Sequence, residues 1–471
     1  MITDAARNAP RAPAADLFGH PKGLSVLFAT EMWERFSYFG MSALVVLYMV
    51  KHLLLPGQVE HVIGYGAVKG ALEFLFGKLE PQPFASQLFG FYTGLAYLMP
   101  ILGGLLADRV LGQRRTVLIG GVLMAIGHFM MAVESLFLFA LLFLILGIGA
   151  FKPNVSTQVG DLYASEDPRR TRAYAVFYIG INIGAFLAPL VCGTLAVAYG
   201  WHSGFAAAGI GMLVSLAIYL YGSRHLPPDD STRTKTPSGE IAPLDRDERR
   251  RIVALLIVCA LVAFFWATCD QQANTMMLWA EDFTDRSVNL LIWRGEIPTT
   301  WLLALNPLVV FVFTPMLIRR WARQAERRSE PLSVSKMAFG CLCVALGNLI
   351  MVAAAWNAGG GKASALWLVG YFVVVTVGEL HIAPVGLALV SKVAPAKVLS
   401  MMMGVWFATT FPGDILSGWL GGFWSSMGKP QFFLMIASIA AAAGAALWAA
   451  SPALNSVLEK PEQPAERAPT S

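Results

Sequence analysis

Apolar runs of about twenty residues recur along the chain, separated by short polar stretches. A helix rises about 1.5 Å per residue, so each run is long enough to cross a hydrocarbon core of about 30 Å. Twelve such spans are predicted, at approximately 24–50, 86–108, 115–133, 136–160, 172–196, 204–222, 252–282, 300–321, 335–356, 365–391, 398–422 and 431–451. The longest polar interruption, SRHLPPDDSTRTKTPSGEIAPLDRDERRR at 223–251, divides them six and six. Its Pro, Asp, Arg and Thr content reads as a mobile linker. The pattern therefore predicts an all-α integral membrane protein, with a disordered tail at 1–19, a six-helix bundle at 20–222, the linker at 223–251, a second bundle at 252–452 and a disordered tail at 453–471. The loop at 52–85 has room for one short amphipathic helix around 61–77. Residues 1–17 are rich in Ala, Pro and Arg and lack the apolar core of a signal peptide.

Composition agrees with this reading. Of the 471 residues, 56% are hydrophobic and 14% charged, where soluble domains carry about 25% charged residues. Placing both termini in the cytoplasm puts 26 Lys and Arg on cytoplasmic segments and seven on outer loops. That asymmetry is the positive-inside pattern, and it requires an even number of spans. The net charge of +5 thus reflects topology and contact with anionic lipid, not a nucleic-acid partner. The five cysteines, an odd number without metal-ligand spacing, read as reduced packing residues.

Six plus six spans about a polar linker is the arrangement of the major facilitator fold, whose halves rock about a site near the bilayer midplane. The turn GGLLADRVLGQRR, Gly103 to Arg115, fits it, with close-packing glycines followed by Asp108, Arg109, Arg114 and Arg115. These four charges form a candidate cytoplasmic gate, and a tight turn obeying the positive-inside pattern is the plainer reading.

Several ionisable groups interrupt the apolar runs, where each costs about 2.5–3.5 kcal/mol at the bilayer centre on insertion scales. In EMWERFSYFGMS, residues Glu31, Glu34, Arg35, Tyr38 and Ser42 fall on one face of the first span. Glu31 and Arg35 are an i,i+4 pair, and Glu34 and Tyr38 another. Two acids with one base can hold a proton or an extra cation; the plainer reading is a charge cluster that fixes packing. Lys152 precedes Pro153 in the middle of the fourth span and points to one of these acids as partner. In the fifth span Tyr174, Tyr178 and Asn182 share a side, and Gly180, Gly184 and Ala188 form a seam for close helix contact. The second half carries Asp270 in FFWATCDQQ, Asn306 before Pro307, and Glu379 ahead of Pro384 and Gly386, which predict a bend. His381 reads as a packing residue and Trp406 as a pocket wall or interface anchor.

Acids and a lysine at membrane depth suit a zwitterionic substrate and proton coupling. An intramembrane hydrolase would need a nucleophile–base pair or metal ligands, and neither H-E-x-x-H nor G-x-S-x-G occurs, so no enzyme, metal site or cofactor is expected.

Taken together and in order, EMWERFSYFG, FKPNVS, FYIGINIGAFLAP, FFWATCDQQ, NPL and GELHIAPVGL resemble the proton-dependent oligopeptide transporter family from about residue 20 to 450. The resemblance implies import of di- and tripeptides with protons across the plasma membrane (the cell inner membrane). It implies proton coupling at Glu31, Glu34, Arg35 and Lys152, and a gating role for the acid at Asp270. It places the peptide amino terminus at Glu379, Asn182 and Asn306, with Tyr38, Tyr97, Tyr178, Trp266 and Trp406 lining the pocket. Four departures stand out. Ser42 occupies the place of an arginine that holds the peptide carboxylate, a role that Lys152 or Arg35 could take over. Phe39 replaces a tyrosine, Asp270 a glutamate, and Ala383 a common serine. Import of a modified or β-linked peptide, nitrate or a drug-like compound is the alternative; for nitrate the acids of the first span would be a liability. Lipids are expected partners, and no oligomer is required.

Overall fold

The computed structural model describes residues 19–164, 167, 169–228, 244–290, 293–327, 329–395 and 398–458. Most of the predicted N-terminal tail, linker positions 229–243 and chain positions from 459 onward lie outside the described residues. The rest is almost entirely helical. The first half comprises α1 (Lys22–Tyr48), α2 (Tyr65–Phe76), α3 (Pro81–Leu106), α4 (Gln113–Met130), α5 (Phe137–Asp161), α6 (Arg169–Tyr199) and α7 (Trp201–Gly222). The second comprises α8 (Arg246–Cys269), α9 (Thr275–Asp282), α10 (Leu305–Glu326), α11 (Ser333–Ala358), α12 (Ala365–Leu380), α13 (Ala383–Val393), α14 (Leu399–Ala408), α15 (Thr410–Gly421) and α16 (Lys429–Leu458). The short helix expected in the loop after the first span is α2.

Local chemistry explains several boundaries. Asp245 caps α8 by accepting from the Glu248 N–H, while the Glu248 carboxylate accepts from the Asp245 N–H. Gly112, at φ 78°, makes the left-handed step from the turn Ala107–Leu111 into α4, a conformation that costs an L-residue with a side chain.

Among the described residues ten helices are long and apolar enough to cross a membrane. The other two predicted spans fall short for identifiable reasons. The third is α4, only 18 residues long with Arg114 and Arg115 in its first turn. The eleventh is divided at Thr409 into α14 and α15. The seventh span, read from the sequence as one helix over 252–282, is interrupted as well. It narrows to a 3-10 turn at Asp270–Ala273, and Asn274 (φ −106°, ψ −102°) leaves helical geometry before α9. The predicted bend in the tenth span is a break between α12 and α13, with Pro384 starting the second piece.

Between these helices, short strands order the loops. β1 (Thr284–Asp285) pairs in parallel with β4 (Ala363–Ser364), and β2 (Ser287–Leu290) pairs antiparallel with β3 (Trp293–Glu296).

The chain divides into two compact units, and the division falls within α1, between Met41 and Ser42. The first unit contains residues 1–41, 99–133 and 139–235. Its helices meet through small residues, as the fifth-span seam predicts. A Cβ on Gly184 would lie 2.2 Å from the Met32 carbonyl oxygen of α1, and one on Gly103 would lie 1.9 Å from the Gly149 oxygen of α5. Gly149 stands four residues before Pro153, so its carbonyl loses its helical donor. That carbonyl faces the bare backbone of Gly103. The Ser37 and Ser215 hydroxyls tie α1 to α7 by donating to the Ala208 and Thr30 carbonyls at 2.5 and 2.7 Å. Where α5 gives way to α6, His20 Nδ1 and the Tyr163 hydroxyl hydrogen-bond at 2.8 Å. There the Arg169 guanidinium beside Asp167 holds that carboxyl below the usual carboxylate range. Burial pushes the Tyr163 phenol up to about 12.

The second unit contains residues 42–98, 134–138 and 236–471. Gly340 and Gly378 bring α11 against α12, and Gly444 brings α16 within van der Waals reach of Ala338 and Cys341 of α11. The five cysteines are free, buried thiols.

Candidate functional site

In the first unit the charges of α1 converge on Arg35. Glu31, Glu34 and Arg35 are 1%, 0% and 3% exposed, so their partners must come from the protein. The Arg35 guanidinium donates through Nε and Nη2 to both oxygens of Glu34, at 2.5 and 2.6 Å. Glu31 Oε1 is 3.5 Å from Arg35 Nε, and the other Glu31 oxygen is buried with no hydrogen-bond partner. The i,i+4 pair of Glu31 and Arg35 is present, and the closer hydrogen bonds go to the adjacent Glu34, which can present both oxygens to the guanidinium fork. The Arg35 guanidinium carbon also lies 4.8 Å from the centre of the Tyr38 ring. Lys152, on α5, acts electrostatically on Glu31, which joins the lysine to the acids of the first span as the sequence suggests.

Asn182 is 7% exposed and donates to the Tyr178 carbonyl at 2.9 Å, one turn back along α6. The Tyr178 ring is half exposed. Of the four residues read as a gate, Arg114 donates to the Leu226 carbonyl, while Asp108, Arg109 and Arg115 are exposed.

In the second unit Asn306 (α10) donates to Glu379 Oε2 at 2.8 Å and to the Thr376 hydroxyl at 3.1 Å. A carboxylate is thereby fixed in orientation at a point where α12 is about to break. Trp406 is buried, and a Cβ on Gly386 would fall 1.9 Å from its ring, so the indole lies directly on the α13 backbone. Trp266 Nε1 is buried without a hydrogen-bond partner. Tyr97 is partly buried on α3. Ser42, 7% exposed, has a hydroxyl with no hydrogen-bond partner. His381 is a packing residue, as read. Its Nδ1 contacts the Val377 carbonyl at 2.7 Å, and its ring packs edge-on against Trp321 and Phe339.

Several participants escape the sequence reading. Thr376 shares Asn306 with Glu379. Around the break in the seventh span, the Ser86 hydroxyl of α3 donates to Asn274 at 2.8 Å, and Gln271 donates to the Ser417 carbonyl and hydroxyl of α15 at 2.8 and 3.0 Å. Asp414, 3% exposed, lies in hydrogen-bonding contact with Asp270. The available signal for Asp414 was simply an acid in an apolar span, in FPGDILSGW.

Residues 114–239 and 241–435 match the family model described as the POT family. The chain belongs to the POT family. It is 32% identical to the peptide transporter YePEPT of Yersinia enterocolitica over 86% of this chain and 88% of that one. It is 31% identical to a di-/tripeptide transporter of Lactococcus lactis subsp. cremoris over 88% and 92%. Among solved structures, the crystal structure of a peptide transporter POT in complex with sulfate superposes with a TM-score of 0.81 at 29% identity, covering 95% of this chain and 98% of that one. A mutant of peptide transporter POT in complex with alafosfalin gives the same values. The protein is thus a multi-pass membrane transporter of the major facilitator fold, and its POT-family membership is the frame for the charges described above.

Proposed function

We propose that the protein is a proton-coupled symporter that imports di- and tripeptides by alternating access. The observation that carries this reading is the half-buried Glu379 carboxylate, oriented by Asn306 beside a helix break. That arrangement suits the ammonium of a peptide amino terminus. The names of the Yersinia and Lactococcus relatives point the same way. Glu31, Glu34, Arg35 and Lys152 are assigned to proton coupling. Among them Glu31 is the group that takes up and releases the proton, since Arg35 is already committed to Glu34. Asp270 is assigned to coupling and gating. Tyr38, Ser42, Tyr97, Lys152, Tyr178, Asn182, Trp266 and Trp406 are proposed to contact the peptide during the cycle. Asp108, Arg109, Arg114 and Arg115 are proposed as cytoplasmic gate residues, with Arg114 anchored through the Leu226 carbonyl. The distribution of Lys and Arg supports a plasma-membrane protein with both termini in the cytoplasm, working in contact with anionic lipid.

The test is uptake of labelled dialanine into proteoliposomes, with and without an inward proton gradient. Accumulation that requires the gradient is the expected result; folded protein that takes up no dialanine at any gradient overturns the reading. A second reading, transport of peptides whose carboxylate is masked, modified or β-linked, is favoured by one observation. The buried hydroxyl of Ser42 stands where the family pattern has an arginine.

A further inference from the structure

The contact between α8 and α15 is built around a glycine. A Cβ on Gly413 would lie 2.5 Å from Trp266 Cβ and 3.0 Å from the Ala263 carbonyl oxygen, so the two backbones approach closely there. One residue further on, Asp414 meets Asp270, and the next residue of that turn, Gln271, is bonded to Ser417. On its other side α15 lies against α3, where a Cβ on Gly90 would fall 2.4 Å from the Asp414 carbonyl oxygen and one on Gly94 would fall 3.4 Å from Asp414 Cβ. Asp414 is therefore held from two directions with 3% exposure, and its meeting with Asp270 is fixed by backbone packing.

An ionised carboxylate is an acceptor only, so two carboxyl groups in hydrogen-bonding contact need a proton between them. Among the described residues no Lys or Arg forms an ion pair with Asp270. The titratable groups that interact with it, besides Asp414, are Glu379 and Tyr371 from α12 and the adjacent Cys269. None of these brings a positive charge, and Glu379 adds a negative one. The helix α3 carries only tyrosines as titratable groups. The single one on α16, Lys429, has its ammonium 3.9 Å from the centre of the Trp424 ring. Gln87 supplies a separate indication that the region is prepared for a further polar occupant. Its amide is 1% exposed, neither its oxygen nor its nitrogen has a partner, and it abuts Gly418, one turn from Asp414.

We infer that Asp270 and Asp414 share one proton and titrate as a unit, which makes Asp414 a second proton-carrying residue of the transport cycle. The pair alternates between one bound proton with net charge −1 and two bound protons with net charge zero, each proton coming from water and returning to it. This rests on the proton-coupled reading above, and it adds a group that neither the sequence motifs nor that reading assigns.

Infrared spectra of the purified protein at neutral pH test it directly through the C=O stretch of protonated carboxylic acids. D270N and D414N are each expected to lose one carboxylic-acid band relative to the wild type, and the double variant to lose no more than either single one. In proteoliposomes both single variants are expected to move half-maximal dialanine uptake to lower pH, because the amide that replaces one acid donates to the remaining carboxylate. D414E is expected to restore band and profile together. Should D414N fail to fold, D270N and D414S read the same band. An unchanged band in the folded variants overturns the shared proton. A wild type that shows the band without gradient-driven uptake overturns the transport reading and still supports the pair.

Discussion

Arg35 grips Glu34 with two hydrogen bonds and leaves Glu31, four residues earlier on the same helix, with one buried oxygen unpartnered. The two acids therefore differ in what a substitution removes. E31Q takes away an incompletely paired charge, so it is expected to cost less stability than a change that breaks the Arg35–Glu34 pair. It should abolish gradient-driven accumulation of dialanine while sparing exchange of peptide across the membrane. Thermal unfolding in detergent, with counterflow and uptake assays, checks both halves.

Lysine at position 35 keeps the charge but cannot match the fork of Glu34. R35K loses a charge-assisted hydrogen bond whose contribution is about 1.5–3 kcal/mol. It is expected to lower the melting temperature measurably, and by more than E31Q.

At the second-unit site, N306A leaves the Glu379 carboxylate without its donor. A hydrogen bond to a charged group contributes about 1.5–3 kcal/mol, which corresponds to a fall of at least about tenfold in uptake efficiency. T376V, which touches only the same amide, is expected to cost less. Concentration-dependent uptake in proteoliposomes separates the two.

Ser42 invites two substitutions with different outcomes. Its hydroxyl is buried and unpartnered, so S42A is expected to be neutral or slightly stabilising. S42R is expected to change the ranking of a peptide panel more than it changes expression. Identical rankings for wild type and S42R would contradict the role given to this position.

Neighbouring glycines in α3 give a stability test. A Cβ at Gly103 would lie 1.9 Å from the Gly149 oxygen, whereas nothing lies within 4 Å of one at Gly104. G103A is expected to destabilise by about 1–3 kcal/mol through overpacking, and G104A to have little effect. Melting temperatures of the two variants decide this.

The long helices were legible because lipid demands continuous apolar runs, and the intramembrane charges because lipid makes them costly. What periodicity could not supply was the choice of partner. Spacing on a helical wheel pairs Glu31 with Arg35 but does not say which of the two acids takes the guanidinium fork, and the reach of the adjacent side chain gives it to Glu34. The break at Asp270–Asn274 was hidden as well: it contains no proline, and its non-helical backbone at Asn274 is accompanied by a hydrogen bond from another segment, from Ser86. At Thr409 the backbone dihedrals stay helical, and the signal is Pro412, which has no N–H for the Ala408 carbonyl. Asp414 was overlooked beside Trp406 in the same span, since its meaning arises only when α8 approaches.

The interruptions also distribute mechanical freedom. The seventh, tenth and eleventh spans are each divided, whereas α11 and α16 run unbroken for 26 and 30 residues with small residues in contact. A segment whose backbone has already left the helical ladder can change its dihedral angles without breaking that ladder, while an uninterrupted helix resists bending. For the proposed transport cycle this assigns α11 and α16 the role of a chassis and the divided spans, which carry Asp270, Glu379 and Asp414, the role of its hinges. Engineering for thermal tolerance would accordingly do best to reinforce the chassis and leave the hinges alone.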